Sequence, residues 1–178
     1  EFLDSIMKAK TGQGVMLMNK MKPFFLSSQL MQMDLAKDQE LALDMYLLEK
    51  AKEDGKKVFG IEEYSDQIGA IDAISLEDQA KMLIDGLRDT AKSSGNEMEG
   101  LIESYLNGDL DKMYELSKDT AMPAEFYQAF LVDRNVKMAK NISLLIREQS
   151  TFNAIGAAHL PGENGVIELL RKRGFTVK

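Results

Sequence analysis

Residues 151–173 constrain the fold of this chain more than any other stretch. Thr151-Phe152-Asn153-Ala154-Ile155-Gly156 reads as a short apolar strand, Ala157 to Gly165 as a loop of small and turn-forming residues, and Val166 to Arg173 as a helix. A strand that passes directly into a helix is a unit of layered α/β architecture, and such a strand needs neighbours to pair with. Two further segments offer themselves. Lys57-Val58-Phe59-Gly60-Ile61-Glu62 follows an amphipathic helix that runs from Asp38 to Lys52 and stops at Asp54-Gly55, and Phe175-Thr176-Val177 closes the chain. The sequence therefore predicts an α/β fold: a small central β-sheet with strands near 57–62, 151–156 and 174–178, surrounded by many helices and predominantly helical.

The remaining segments read as helices with recognisable ends. The opening third is methionine-rich and is interrupted at Pro23, which cannot continue a helix. Ser75 and Asp78 resemble a capping box at the head of a helix through Met82, Leu83 and Leu87. Gly95-Asn96 reads as a turn, Glu97 to Leu106 as a helix closed by Asn107-Gly108, and Asp109 as the cap of a short helix from Leu110 to Ser117. Met122-Pro123 marks the start of the last long helix, about Ala124 to Glu148. The 12 methionines have two readings, helical core filling or an adaptable partner surface, and helical spacing favours the first.

Composition removes whole classes of function. At 178 residues the chain fits a single domain with a proper core. Its formal charge of -7 argues against an extended nucleic-acid footprint or attraction to anionic lipid. The tight basic clusters, Lys56-Lys57 and Arg171-Lys172-Arg173, are short, and the second suits the last turn of a helix. With 0 cysteines there is neither a disulfide frame nor a thiolate nucleophile. No apolar run approaches the roughly 18 residues of a membrane helix, so no membrane insertion is expected. The sequence opens Glu1-Phe2-Leu3-Asp4 without an initiator methionine and reads as a processed or excised piece.

Three residues stand out as chemistry. His159, the 1 histidine of the chain, lies just past a strand end, where ligands of open α/β sheets gather, and Gly156, Ala157 and Ala158 leave room around its ring. Its plainer role is to pack and hydrogen-bond a carbonyl. In the long helix Phe126, Phe130, Met138 and Ile142 recur every fourth residue except where Arg134 takes the place. A guanidinium on an apolar stripe needs a carboxylate or a ligand, unless its stem packs and its head reaches water. Glu62 ends a strand, as His159 nearly does, and parallel neighbours would bring both to one sheet edge beside Arg134. The alternative for Glu62, Glu63 and Asp66 is an ordinary acidic loop.

The run from Ile155-Gly156-Ala157-Ala158-His159-Leu160-Pro161-Gly162 to Val166 resembles the hallmark of the TraB/PrgY/GumN family, related to the Tiki proteases. Asp44 through Ala51 followed by Gly55-Lys56-Lys57-Val58-Phe59-Gly60-Ile61-Glu62, the pair Arg134-Asn135, and Asn107-Gly108-Asp109-Leu110 are similar to other segments of that family, in the same order. The resemblance implies an α/β fold and, for the Tiki branch, metal-dependent peptide hydrolysis using two Gly-x-x-His motifs and acidic residues. Only Gly156-x-x-His159 is present, so it implies a single domain over 1–178, truncated at its N-terminus and with an incomplete catalytic site. On this reading His159 and Glu62 hold a divalent metal (manganese, cobalt or zinc), Glu62 or His159 serves as base or acid, and Arg134 clamps an oxyanion or substrate carboxylate. Arg134, Asn135, Gly156 and Gly162 would line a site for a peptide or small-protein substrate. Other branches, linked to peptide pheromone shutdown, suggest the alternative of a non-catalytic peptide-binding or sequestration protein. Export or a place in the cell envelope follows from kinship alone, and an unpaired sheet edge would favour a homo-oligomer.

Overall fold

The computed structural model describes residues 2–18, 20–34, 41–90, 96–118 and 123–178. The expected helix start at Asp38, Gln39 and Glu40, the turn residue Gly95 and the start residue Met122 lie outside the described residues. The chain falls into two compact units, Glu1–Leu41 with Ile74–Ser94, and Ala42–Ala73 with Gly95–Lys178.

The first unit is helical. Helices α1 (Phe2–Thr11), α2 (Pro23–Asp34) and α5 (Leu76–Thr90) surround Met7, Leu26, Leu30 and Leu83, with a short 3-10 turn at Val15–Met18 beside them. Pro23 begins α2, where its missing N–H is no loss. Ser75 caps α5: the Asp78 N–H donates to Ser75 Oγ at 3.0 Å, and the Ser75 hydroxyl donates to the Asp78 carboxylate at 2.6 Å, a side-chain pair rather than the reciprocal main-chain bond of a full capping box. Met7 is fully buried, whereas Met16, Met21, Met31 and Met33 are exposed, so core filling accounts for only part of the methionine-rich start.

The second unit is organised around α9 (Asp133–Glu148). Ahead of it come α3 (Leu43–Glu53), α4 (Tyr64–Asp72), α6 (Asn96–Leu106), α7 (Leu110–Lys118) and the four-residue α8 (Ala124–Tyr127), and α10 (Val166–Lys172) follows it. Asp109 caps α7 as its sequence suggests, its carboxylate accepting from the Lys112 N–H at 2.9 Å. Between α8 and α9 the helix widens into a π turn, Gln128–Val132, so the expected helix from Ala124 to Glu148 is continuous but not uniform. Met138, Ala139 and Ile142 of α9 meet Val166 of α10, and Ile61, Ile146, Ile155, Leu169 and Leu170 pack around them. Gly165 precedes α10 where a Cβ would lie 2.2 Å from the Pro161 carbonyl oxygen, so only glycine fits this turn.

The expected central sheet is absent: among the described residues there is no β-strand, and the α/β assignment gives way to a predominantly helical architecture. The segments 57–62, 151–156 and 174–178 are extended or turn-like but carry no strand ladder. Residues 151–156 do alternate between half-buried and exposed, which is the periodicity the sequence displays. Periodicity reports which side of an extended chain is covered, and here α9 covers it. Ile61 and Ile155 dock on that helix separately, and the Asn141 amide donates to the Ile61 carbonyl at 2.9 Å. At the C-terminus Phe175 lies under the Arg147 guanidinium, 5.4 Å from it, and the Val177 carbonyl accepts from Arg171, so side chains hold that segment as well.

Because α9 carries the contacts that a sheet would otherwise share, its buried face should dominate stability. Ile142→Ala, at a position 2 % exposed, is expected to lower unfolding free energy by about 2–5 kcal/mol in urea denaturation. Leu144→Ala on the exposed face is expected to change it by less than about 0.5 kcal/mol.

Candidate functional site

Consecutive residues on a helix diverge by about 100°, and Arg134 and Asn135 use that divergence to hold two remote segments to one turn of α9. Both are buried, Arg134 at 9 % exposure and Asn135 at 4 %. Arg134 grips Glu62 in a two-pronged pair, Nε donating to Oε2 at 2.9 Å and Nη2 to Oε1 at 2.7 Å. Its remaining arm donates from Nη1 to the Phe130 carbonyl at 3.2 Å, and its Cζ lies 4.9 Å from the Phe130 ring centroid. Phe130 belongs to the π turn just upstream, so the widened turn offers the guanidinium both a carbonyl and an aromatic face.

Glu62 also accepts from Gln67 Nε2 at 2.8 Å. The Arg134 hydrogen bonds hold its carboxyl below the usual glutamate range, against the opposing effect of burial and with help from Gln67. It is an ionised group whose two oxygens are already engaged.

His159 ends a 3-10 turn, Ala157–His159, that follows Gly156. Its Nδ1 lies 2.6 Å from Asn135 Oδ1, and Asn135 Nδ2 donates to the Asn164 carbonyl at 2.8 Å. A carbonyl can only accept, so the amide nitrogen must face Asn164 and the amide oxygen must face the ring. That oxygen needs a proton from Nδ1. The neutral imidazole is therefore the Nδ1–H tautomer, with its lone pair on Nε2. Nε2 makes no hydrogen bond among the described residues and is not sealed from solvent, since no buried side-chain nitrogen or oxygen lacks a partner. Burial pushes the imidazole pKa below its ordinary value, the Arg134 charge adds to this, and the Glu62 charge opposes it. At neutral pH the ring is uncharged and Nε2 is free to accept.

The structure thus brings Glu62, Arg134, Asn135 and His159 to one place. Gly156 lies beside the ring, where an added Cβ would sit at an ordinary 3.6 Å from His159 Cδ2. Gly162 is different: its φ is +85°, and a Cβ would come within 2.6 Å of the Tyr114 ring, so turn geometry and packing account for it. Glu63 and Asp66 lie at the head of α4, where the Glu63 N–H donates to Asp66 at 2.7 Å and Lys137 pairs with Asp66. Gln67 and the Asn164 carbonyl are parts of the site that sequence reasoning missed. Neither belongs to a motif, although Gln67 lies near enough to Glu62 in the chain to share its local turn. Phe130, four residues before Arg134, was visible only as a member of the apolar stripe.

A divalent metal fits this donor set poorly. Among the described residues no group of three or more His, Cys, Asp or Glu is placed to hold one. Both Glu62 oxygens face Arg134, whose positive charge opposes a cation there. Of the expected ligand pair, His159 Nε2 is the donor left open, fewer than the three protein ligands of a catalytic zinc centre.

Comparison with known proteins places the chain in a class: the model of the TraB/PrgY/gumN family matches residues 1–178, and the chain belongs to that family. Among its relatives are Metalloprotease TIKI2 of Xenopus tropicalis, 26% identical over 76% of this chain and 31% of the relative, and Metalloprotease TIKI homolog of Amphimedon queenslandica, 26% identical over 89% of this chain and 37% of the relative. Metalloprotease TIKI1 of Homo sapiens is 25% identical over 76% of this chain and 32% of its own length. The chain spans about a third of the length of these relatives. No solved structure matches it. No helix among the described residues is long and apolar enough to cross a membrane.

The ion pair generates a stability prediction with a definite sign. Arg134→Met strands the largely buried Glu62 charge and is expected to cost about 3 kcal/mol in urea denaturation near neutral pH. Because the folded-state pKa of Glu62 is depressed, its contribution is complete above the unfolded glutamate value of about 4.3 and is lost as pH falls through the lower folded value. The stability gap between the natural protein and Glu62→Gln should accordingly close on acidification below about pH 4. A gap that stays constant down to the acid unfolding range would contradict the pairing.

Proposed function

We propose that this chain supplies the proton-transferring half of a peptide-hydrolysing site, with His159 as the reacting group. The observation that carries the reading is the locked tautomer: Asn135, itself fixed by the Asn164 carbonyl, holds Nδ1–H and leaves Nε2 open. An uncharged imidazole in that state can accept a proton from an attacking water and return it to a leaving amine. Glu62 and Arg134 are fully engaged with each other, so they act as the electrostatic setting of the ring. The carboxylate favours the imidazolium as it forms, and the guanidinium keeps the resting ring neutral and favours developing negative charge nearby. The metalloprotease names of the relatives support peptide hydrolysis as the reaction. Gly156 lies beside the ring and would border the bound peptide.

A second reading, peptide binding without cleavage, is favoured by one observation: the described residues bring together no metal-holding cluster. Peptide hydrolysis by the natural protein, assayed with manganese, cobalt or zinc supplied, separates the two. His159→Ala is expected to lower kcat/KM by about 10²–10⁴-fold. The acid limb of the natural protein's profile should fall below about pH 6.5, because the ring pKa is depressed. Asn135→Ala should restore a mixture of tautomers, read from the imidazole nitrogen shifts in NMR. Peptide affinity without turnover under every cation would select the binding reading, and equal turnover with and without His159 would reject the first.

A further inference from the structure

The extended segments that replace the expected strands flank a cavity of about 890 Å³. Val58, Phe59 and Ile61 border it on one side, Phe152 and Ala154 on the other, with Leu145 of α9 also in the lining. The backbones on the two sides share an unusual property. Lys57–Gly60 and Thr151–Ile155 make no main-chain hydrogen bond to any described residue and lie outside every helix and turn. Main-chain amides and carbonyls are obligatory hydrogen-bonding groups, and two such edges along one groove form a template for another main chain. The side chains fit the same occupant: Val58, Phe59 and Phe152 are 52%, 50% and 82% exposed, large apolar groups awaiting cover.

The two edges run in the same direction along α9. Residues near the C-terminal end of that helix, Leu145 and Gln149, line the groove, Ile61 and Ile155 dock further up at Met138–Ile142, and the segments finish at Glu62 and His159, held by Arg134 and Asn135. A strand laid between them would be led to the imidazole. Charge gives the far end a preference. Lys50 and Lys56 are paired with Asp54, whereas Lys57, and Asp44 elsewhere in the lining, make no ion pair among the described residues, which leaves the lining with one net positive charge.

We propose that this groove binds the peptide substrate as an added β-strand, by main-chain hydrogen bonds to Lys57–Gly60 and Thr151–Ile155, selecting extended peptides with alternate apolar residues and a carboxylate opposite Lys57. The inference rests on the peptide reading of the site, but its test is binding and needs no turnover. The probe is a dye-labelled peptide of about eight residues, long enough to follow a strand of about 26 Å, with an aspartate leading alternating valine and threonine. Its affinity is read by fluorescence anisotropy. Anisotropy reads binding whether or not the peptide is cleaved, so failure of catalysis and failure of docking are separable. Phe152→Ser and Val58→Asn, both at exposed positions, should each weaken binding by about tenfold, as expected for apolar anchors. Methylating alternate backbone nitrogens of the peptide should weaken it at least as much. Equal binding of the methylated peptide, unchanged binding by both variants, or no binding would overturn the proposal. So would a dimer in sedimentation whose amides at 57–60 and 151–155 are protected from exchange before any peptide is added, since a second copy would then occupy the groove.

Discussion

The adjacent pair Arg134-Asn135 is the constraint on which the second unit depends. One residue takes the carboxylate at the end of 57–62 and the other takes the imidazole beyond 151–156. Without a sheet, nothing in the backbone ladders joins these segments. A largely buried ion pair is weak evidence of net stabilisation, because desolvation offsets much of the attraction, but it is strongly directional. Two prongs onto one carboxylate leave Glu62 a narrow range of positions, and the amide bridge does the same for the ring.

The same geometry determines which chemistry is open. Had Glu62 been free, it would have been a natural base or ligand. Engaged by Arg134 and Gln67, it becomes a fixed negative charge. Asn135 undergoes the converse change in meaning: a polar residue beside Arg134 reads from sequence as a substrate contact, yet both ends of its amide are taken within the chain. Of these side chains, His159 is the one that leaves a ring nitrogen, Nε2, without a hydrogen bond among the described residues.

Much of this was readable in the sequence, and the failures have a physical pattern. The break in the apolar stripe at Arg134 showed that a charge lay on a buried face, which demands a partner. Helix ends at Pro23, Ser75 and Asp109 followed from local chemistry, because capping involves residues a few positions apart. The sheet failed because pairing is a property of two segments together. Residues 151–156 alternate as a strand does, but alternation cannot say whether the neighbour is another strand or the side of α9. Gln67 and the Asn164 carbonyl were missed for a related reason: one is a common polar side chain and the other a main-chain atom, and neither carries a sequence signature.

The π turn at Gln128–Val132 has an evolutionary corollary. Such a turn winds one residue more into the same rise than the α-helix it interrupts, so a single extra residue is accommodated there without breaking the helix. Excising one residue there would restore regular winding and swing everything upstream by about 100° about the axis. The stacked Phe126 and Phe130 rings, 4.7 Å apart, would then be carried away from the guanidinium. Length in this short stretch is thus under tighter restraint than composition, and natural variants should exchange side chains here far more readily than they gain or lose a residue.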